Sequence, residues 1–335
     1  SSSAASDVYK RQLGRLVLAA SLLTSSAFAA DRPLNIAVVP KGTTHEFWKS
    51  IQAGAMKARM ELAEKGIRAN VLWKGPLKED DRDQQIQVVE NFMVRRVNGI
   101  VLAPLDSKAL IRPVQNAQKA GVPVVIIDSG LESEDYVSFV ATDNYKGGQM
   151  AGEHLAKLLG GNGRVILLRY AVGSASTEAR EKGFLEALGK HPDIKLISSD
   201  QYAGPTRETS YQASQNLLNR FGREVDGIFC PNENSTIGMT MALRDIGRAG
   251  GQVKMVGFDA GSQSVADMKS GDVQGLIVQN PLFMGYQGVM TMVEHLQGKK
   301  VEKRIDTGVV LVTKENMDEQ SVKELLYPPL EKYLK

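Results

Sequence analysis

From residue 34 onward, short apolar runs alternate with longer stretches in which apolar positions recur at helical spacing. The runs cover residues 34–39, 69–73, 99–103, 122–127, 164–168, 194–198, 225–230, 253–258 and 273–278. Most are rich in Val, Ile and Leu without polar alternation, which suits parallel strands covered on both faces. Between them, Phe47, Ile51, Ala55, Ala58 and Leu62 keep to one helical face, as do Tyr286, Val289, Met290, Val293 and Leu296. Strand and helix in alternation predict βαβ units and parallel sheets, an α/β fold of the doubly wound kind.

The pattern also repeats. Val97-Asn98-Gly99-Ile100 and the residues up to Ser107 align with Val225-Asp226-Gly227-Ile228 and the residues up to Ser235, with four identities in eleven positions. Each copy leads through a helical stretch to a strand that ends in an acid, Val125-Ile126-Ile127-Asp128 and Val256-Gly257-Phe258-Asp259. Two similar domains are therefore expected, each with an aspartate at the carboxyl end of a parallel strand. In open α/β sheets that edge is where ligands bind. Two such edges facing each other make a cleft, the usual seat of a small-molecule site.

A length of 335 residues accommodates two ordinary domains. The formal charge is +3, of which +2 falls in the first thirty residues, leaving a nearly neutral body. That argues against nucleic-acid binding, which requires a basic face. Residues 1–30 read as a leader: Lys10, Arg11 and Arg15 precede an apolar run from Leu16 to Leu23, and Ala27-Phe28-Ala29 fits a cleavage site. Cleavage near Ala29 or Ala30 and a periplasmic location are expected. The lone Cys230 sits in an apolar strand and reads as packing, and the four histidines show no metal-ligand spacing. Gly160-Gly161-Asn162-Gly163 precedes a strand rather than a helix, so it is no phosphate loop. No cofactor and no catalysis are expected.

In their order along the chain, Asn35 to Val39 leading to Phe47-Trp48, Ala141-Thr142-Asp143-Asn144 with Gly147-Gly148, Ala179-Arg180-Glu181-Lys182-Gly183-Phe184, Val256-Gly257-Phe258-Asp259 and Val278-Gln279-Asn280-Pro281 carry a family resemblance. With 123–128 and 229–233 they cover nearly the whole chain from Leu34 to Val312, which resembles the periplasmic sugar-binding proteins of the ribose-binding type. The resemblance implies two domains joined by three crossing segments, near Ala141, Gln279 and Thr307. On this basis residues 31–141 plus 280–308 form the N-terminal domain, and 142–279 plus 309–335 the C-terminal one. It also implies hinge closure on a sugar or related polyol, delivery to an ABC-type permease, and a monomeric state. A chemoreceptor or histidine kinase is an alternative recipient of the closed form. The lactose-repressor family shares this fold, but there a helix-turn-helix domain precedes the first strand.

A sugar offers hydroxyls that both donate and accept, together with apolar faces. Asp128 and Asp259 can accept hydroxyl hydrogens, or instead cap the helices that follow them. Arg180 corresponds to the principal arginine of the family, with Glu178 and Glu181 as its alternative partners. Asn232 and Gln279 supply amides that either hold ligand or tie down their own loops. Trp48, off the apolar stripe, is the candidate stacking wall, with Phe258 opposite; Phe47 is either wall or core. The chain departs from the ribose pattern at Ser129, where a second arginine is usual, and at Lys41 and His45, where short polar residues are usual. An aromatic is also missing around Gly204-Pro205-Thr206, although Tyr202 is close by. Lys41 therefore either replaces the missing cation or selects an anionic substituent.

Overall fold

The computed structural model describes residues 32–334, so the leader expected over residues 1–30 lies outside the described residues. In chain order the strands are β1 (Leu34–Val39), β2 (Ala69–Trp73), β3 (Gly99–Leu102), β4 (Val124–Ile127), β5 (Ser138–Ala141), β6 (Gly163–Leu167), β7 (Ile194–Ser198), β8 (Gly227–Phe229), β9 (Lys254–Phe258), β10 (Gly275–Gln279), β11 (Arg304–Asp306) and β12 (Val309–Val312). The helices are α1 (Glu46–Glu64), α2 (Arg82–Val94), α3 (Ile111–Lys119), α4 (Asn144–Leu158), α5 (Ala175–Leu188), α6 (Arg207–Phe221), α7 (Glu233–Asp245), α8 (Ser262–Ser270), α9 (Pro281–Leu296) and α10 (Gln320–Leu326).

Two six-stranded sheets result, ordered β11-β5-β4-β3-β1-β2 and β12-β10-β9-β8-β6-β7. The two orders are copies of one another, as the internal repeat predicts: β3 matches β8, and β4, which ends before Asp128, matches β9, which ends before Asp259. Pairing is parallel throughout, except that β12 runs antiparallel to β10. Every residue of β3 and β4 is buried, which explains their unbroken apolar sequence. Strands β5, β11 and β12 escape the sequence reading: they are short and, unlike β3, β4 and β8, not fully buried.

The chain passes from one sheet to the other at 142–143, 280 and 307–308. Two of these passages are bonded together: Thr142 Oγ1 donates to the Gly308 carbonyl at 3.2 Å, and Arg304 Nη2 to the Thr142 carbonyl at 3.0 Å. Each of the first two passages delivers a helix to the opposite sheet. Helix α4, leaving β5, packs on β8, β9 and β10; α9, leaving β10, packs on β1, β3, β4 and β5. The core of the first half accordingly joins Ile36, Val38 and Val101 to Met284, Val289 and Met292.

Each delivered helix lies flat against a resident one through paired glycines. A Cβ at Gly54 or Gly285 would collide with the backbone across the α1/α9 contact, and one at Gly148 or Gly183 would do so across the α4/α5 contact. At Gly148 the obstacle is the carbonyl of Arg180, so this contact sets the height of a candidate ligand residue. Gly148→Ala should destabilise the protein by about 1–3 kcal/mol, the usual cost of overpacking a tight core. Gly189→Ala, whose Cβ meets its nearest neighbour at an ordinary 3.4 Å, should stay within about 0.5 kcal/mol of wild type. Urea unfolding of both variants measures the difference.

Candidate functional site

The carboxyl edges of the two sheets face each other, and the loops leaving them close on a small cavity of about 30 Å³. Asp128 and Asp259 both sit there in the left-handed region, at φ 62° and 71°. Each still extends its ladder, donating its N–H to Val140 or to Ile277 of the neighbouring strand. The chain thus turns by positive φ immediately after the last strand bond, a conformation that costs a non-glycine residue about 1–2 kcal/mol. Such strain at a strand end is typical of functional positions.

Neither aspartate caps the helix that follows it. Asp259 Oδ1 accepts from Gln279 Nε2 at 2.7 Å, and Oδ2 accepts from the Glu233 N–H at the start of α7, at 3.1 Å. Asp128 pairs with the Lys41 ammonium at 3.4 Å, and both side chains are almost fully buried. Arg180, also buried, lies with its guanidinium 3.8 Å from the centre of the Phe258 ring. Its Nε donates to Asn144 Oδ1 and its Nη1 to the Pro231 carbonyl, each at 2.8 Å. Burial pushes both aspartates above the usual carboxylate range, opposed by Lys41 and Arg180 at Asp128 and by Arg180 and Gln279 at Asp259. Burial likewise lowers Arg180, against the pull of Asp259 and Asp128.

Of the residues singled out from sequence, Lys41, His45, Phe47, Trp48, Asp128, Arg180, Asn232, Asp259 and Gln279 line this cavity; Ser129 and Phe258 do not. Phe258 is no opposing wall. It is fully buried in the core of the second half, and the Arg180 guanidinium covers its face, so it supports the cation from below. Ser129, fully buried, instead accepts the Ser176 N–H through its Oγ at 3.1 Å. On α1 both aromatics line the cavity. Trp48 is 2% exposed and belongs to the core, because α1 is covered both by its sheet and by α9; Phe47 stays half-buried, edge-on to it. The oxygen of Asn232 is occupied in capping α7, which leaves its Nδ2 to offer. Cys230 is buried and its thiol is raised by that burial.

Five further lining residues were not read from sequence: Glu79, Tyr170, Glu233 and the Ser176-Thr177 pair at the start of α5. Glu79 organises one wall. It accepts from Trp48 Nε1 at 2.7 Å, from Tyr170 Oη at 2.7 Å and from His45 Nδ1 at 2.8 Å. Burial alone would raise it, but His45, Lys41 and Trp48 together hold it down to about 2. His45, resisted by its own burial, is raised by Glu79 and, more weakly, by Glu233 and Asp259. The signal for Glu79 and Tyr170 was positional, since both follow the carboxyl ends of parallel strands, β2 and β6, as Asp128 and Asp259 follow theirs.

Many of these contacts join the two halves. Lys41 Nζ donates to Ser174 and Ser176, both at 3.2 Å; the His45 ring lies 2.9 Å from the Asn234 amide; and Glu46 accepts from the Ser262 N–H and hydroxyl at 2.7 and 2.6 Å. No cluster of potential metal ligands occurs among the described residues.

Two like halves with opposed carboxylates, closed on a cavity between them, define a binding protein of the two-lobed α/β class. The chain belongs to the periplasmic binding protein domain family, whose pattern it matches over residues 36–300. This is a family of binding proteins rather than enzymes. Among curated relatives, the chain is 31% identical to a ribose import binding protein of Haemophilus influenzae, over 89% of this chain and 96% of that one. Among solved structures, it resembles a carbohydrate transporter solute-binding protein of Agrobacterium radiobacter in complex with D-arabinose (33% identity, TM-score 0.82, covering 88% and 99%). It is equally similar to an ABC transporter solute-binding protein of Agrobacterium vitis with bound D-fucose (33%, 0.82, 88% and 100%).

Glu233 provides a test of the electrostatics. Its burial, next to Asp259, pushes its carboxyl up to about 7 from an ordinary 4.5. The folded chain then holds this proton more tightly than the unfolded one, so stability falls as pH rises from about 4.5 to 7. Glu233→Gln should remove that fall, gaining on wild type by about 3 kcal/mol between pH 4.5 and pH 8. Urea unfolding at those two pH values reads the change.

Proposed function

We propose that this protein is an extracytoplasmic solute-binding protein that captures a neutral monosaccharide or related polyol between its halves and presents the closed form to an ABC-type permease. One observation carries the reading. Two carboxylates, one from each half, flank a buried guanidinium inside a closed cavity, and the hydroxyls of Tyr170, Ser176 and Thr177 complete its lining. Carboxylates accept from sugar hydroxyls, Arg180 and the Asn232 amide donate to sugar oxygens, and the half-buried Phe47 offers an apolar face.

The charge balance favours a neutral ligand. Four carboxylates line the cavity, and the one additional ammonium, Lys41, is already held by Asp128, Ser174 and Ser176. A sugar acid would add a further negative charge to these carboxylates. Lys41 instead replaces the missing arginine and ties ligand binding to closure, since its partners lie on both sides of the cleft.

The three passages serve as the hinge, dividing the chain into residues 31–141 with 280–308 and residues 142–279 with 309–335. In the open form the bonds between Glu46 and Ser262, Lys41 and Ser176, and Glu79 and Tyr170 part; a bound ligand stabilises the closed form by contacting both halves. The protein works as a monomer, exported by a leader removed near Ala29 or Ala30. A chemoreceptor or sensor kinase can read the same closed surface that a permease does.

A thermal-shift screen of the chain from Ala30 onward tests this against D-ribose, D-arabinose, D-allose, D-fucose, xylitol and D-galacturonate. A ligand present at a hundred times its Kd should add about 2.7 kcal/mol and raise the midpoint by several degrees. A neutral sugar or polyol should shift the protein and galacturonate should not. Asp128→Asn and Arg180→Lys should each abolish the shift. A response to galacturonate alone, or to nothing, would overturn the reading.

A further inference from the structure

Beside the ligand cavity lies a second and larger one, of about 190 Å³. It forms where the C-terminal segment folds back over the junction of the halves. Helix α10 anchors that segment in the second half, through Val322 and Leu326 in its core. The segment then turns at Leu330–Lys332, which packs on α1 of the first half. Leu326, Pro328 and Leu330 roof the space; Val278 and Pro281 lie along the passage from β10 to α9. Glu46 and Ser262, bonded across the halves, also line it, so it is complete only when the protein is closed.

The two cavities share one wall, made by Phe47, Glu233, Asp259 and Gln279. Two side-chain oxygens of that wall, Gln279 Oε1 and Glu233 Oε2, are buried and have no hydrogen-bond partner among the described residues. Gln279 and Glu233 are 2% and 6% exposed. Buried acceptors of this kind are rare in native proteins and call for a donor. The second cavity has mostly apolar walls, no lysine, arginine or histidine in its lining, and acceptors without partners.

We infer that the second cavity is a binding subsite for an uncharged, largely apolar substituent bearing a hydroxyl, so that the natural ligand is a glycoside rather than a free sugar. The inference rests on the sugar reading above and deepens it. The sugar ring lies between Asp128 and Asp259, and its substituent extends past the shared wall beneath the C-terminal segment. There its hydroxyl donates to Gln279 Oε1 or exchanges a hydrogen bond with the Glu233 carboxyl. An anionic substituent is disfavoured by the Glu46 and Asp259 carboxylates, and a free sugar leaves the compartment unused.

Isothermal titration of the full chain from Ala30 onward tests this. The probes are D-ribose, D-arabinose, D-allose and D-fucose, each compared with both anomers of its methyl, phenyl and 4-hydroxyphenyl pyranosides. For the sugar that binds, one anomer of the aryl glycosides should bind at least tenfold more tightly than the free sugar, the 4-hydroxyphenyl form most tightly. Leu330→Trp, which fills the compartment from the half-buried tail, should erase that advantage and leave free-sugar affinity unchanged. A chain ending at Leu326, which removes the roof, should do the same. A free sugar that binds with no gain from any glycoside would overturn the subsite alone. A gain that survives both variants would also overturn it. Binding of neither sugars nor glycosides would overturn the sugar reading and the subsite with it.

Discussion

The structure turns on a guanidinium buried between two carboxylates that belong to different halves of the chain. A desolvated cation is tolerated only where opposite charge and hydrogen-bond acceptors are close at hand. Arg180 has Asn144 and the Pro231 carbonyl as direct acceptors, the Phe258 face beneath it, and Asp128 and Asp259 as its largest electrostatic partners. Asp128 reaches it from the first half, so closing the halves brings in one of the charges that offsets its burial. Lys41 mirrors the arrangement, a cation of the first half bonded to serines of the second. Closure and electrostatic balance are one event here, and a ligand rich in hydroxyls can enter that balance without altering its net charge.

Much of this was legible in the sequence because it follows from periodicity. Nine apolar runs predicted nine of the twelve strands, and the loose repeat predicted two similar domains, which the matching sheet orders bear out. The aspartates at 128 and 259 stood out because they end matching strands. What sequence could not supply was the second covering of a helix. Trp48 reads as off the stripe only if α1 has one buried face; α9, contributed from more than two hundred residues downstream, gives it a second. Phe258 failed for a related reason. Alternation along β9 turns it away from the cleft, and only the height of α5, set by Gly148 and Gly183, brings Arg180 over its ring.

Glu79 was invisible for another reason. In Lys78-Glu79-Asp80-Asp81 it has the composition of a solvated loop, yet it alone of the three acids collects three donors and is held down to about 2. Position along a parallel sheet, rather than residue type, was the signal that distinguished it.

The exchange of helices has a consequence for how the chain acquires its shape. The first sheet has one face covered by α1 and α9 together and its edge completed by β11, so that core lacks Met284, Val289, Met292 and Val293 until those residues exist. When β5 is finished, α2 and α3 can already cover one face of that sheet, but the other face has only α1. The first half is therefore a discontinuous unit, whose core and edge are complete only with the segment from Pro281 to Asp306, made after the whole of the second sheet except β12.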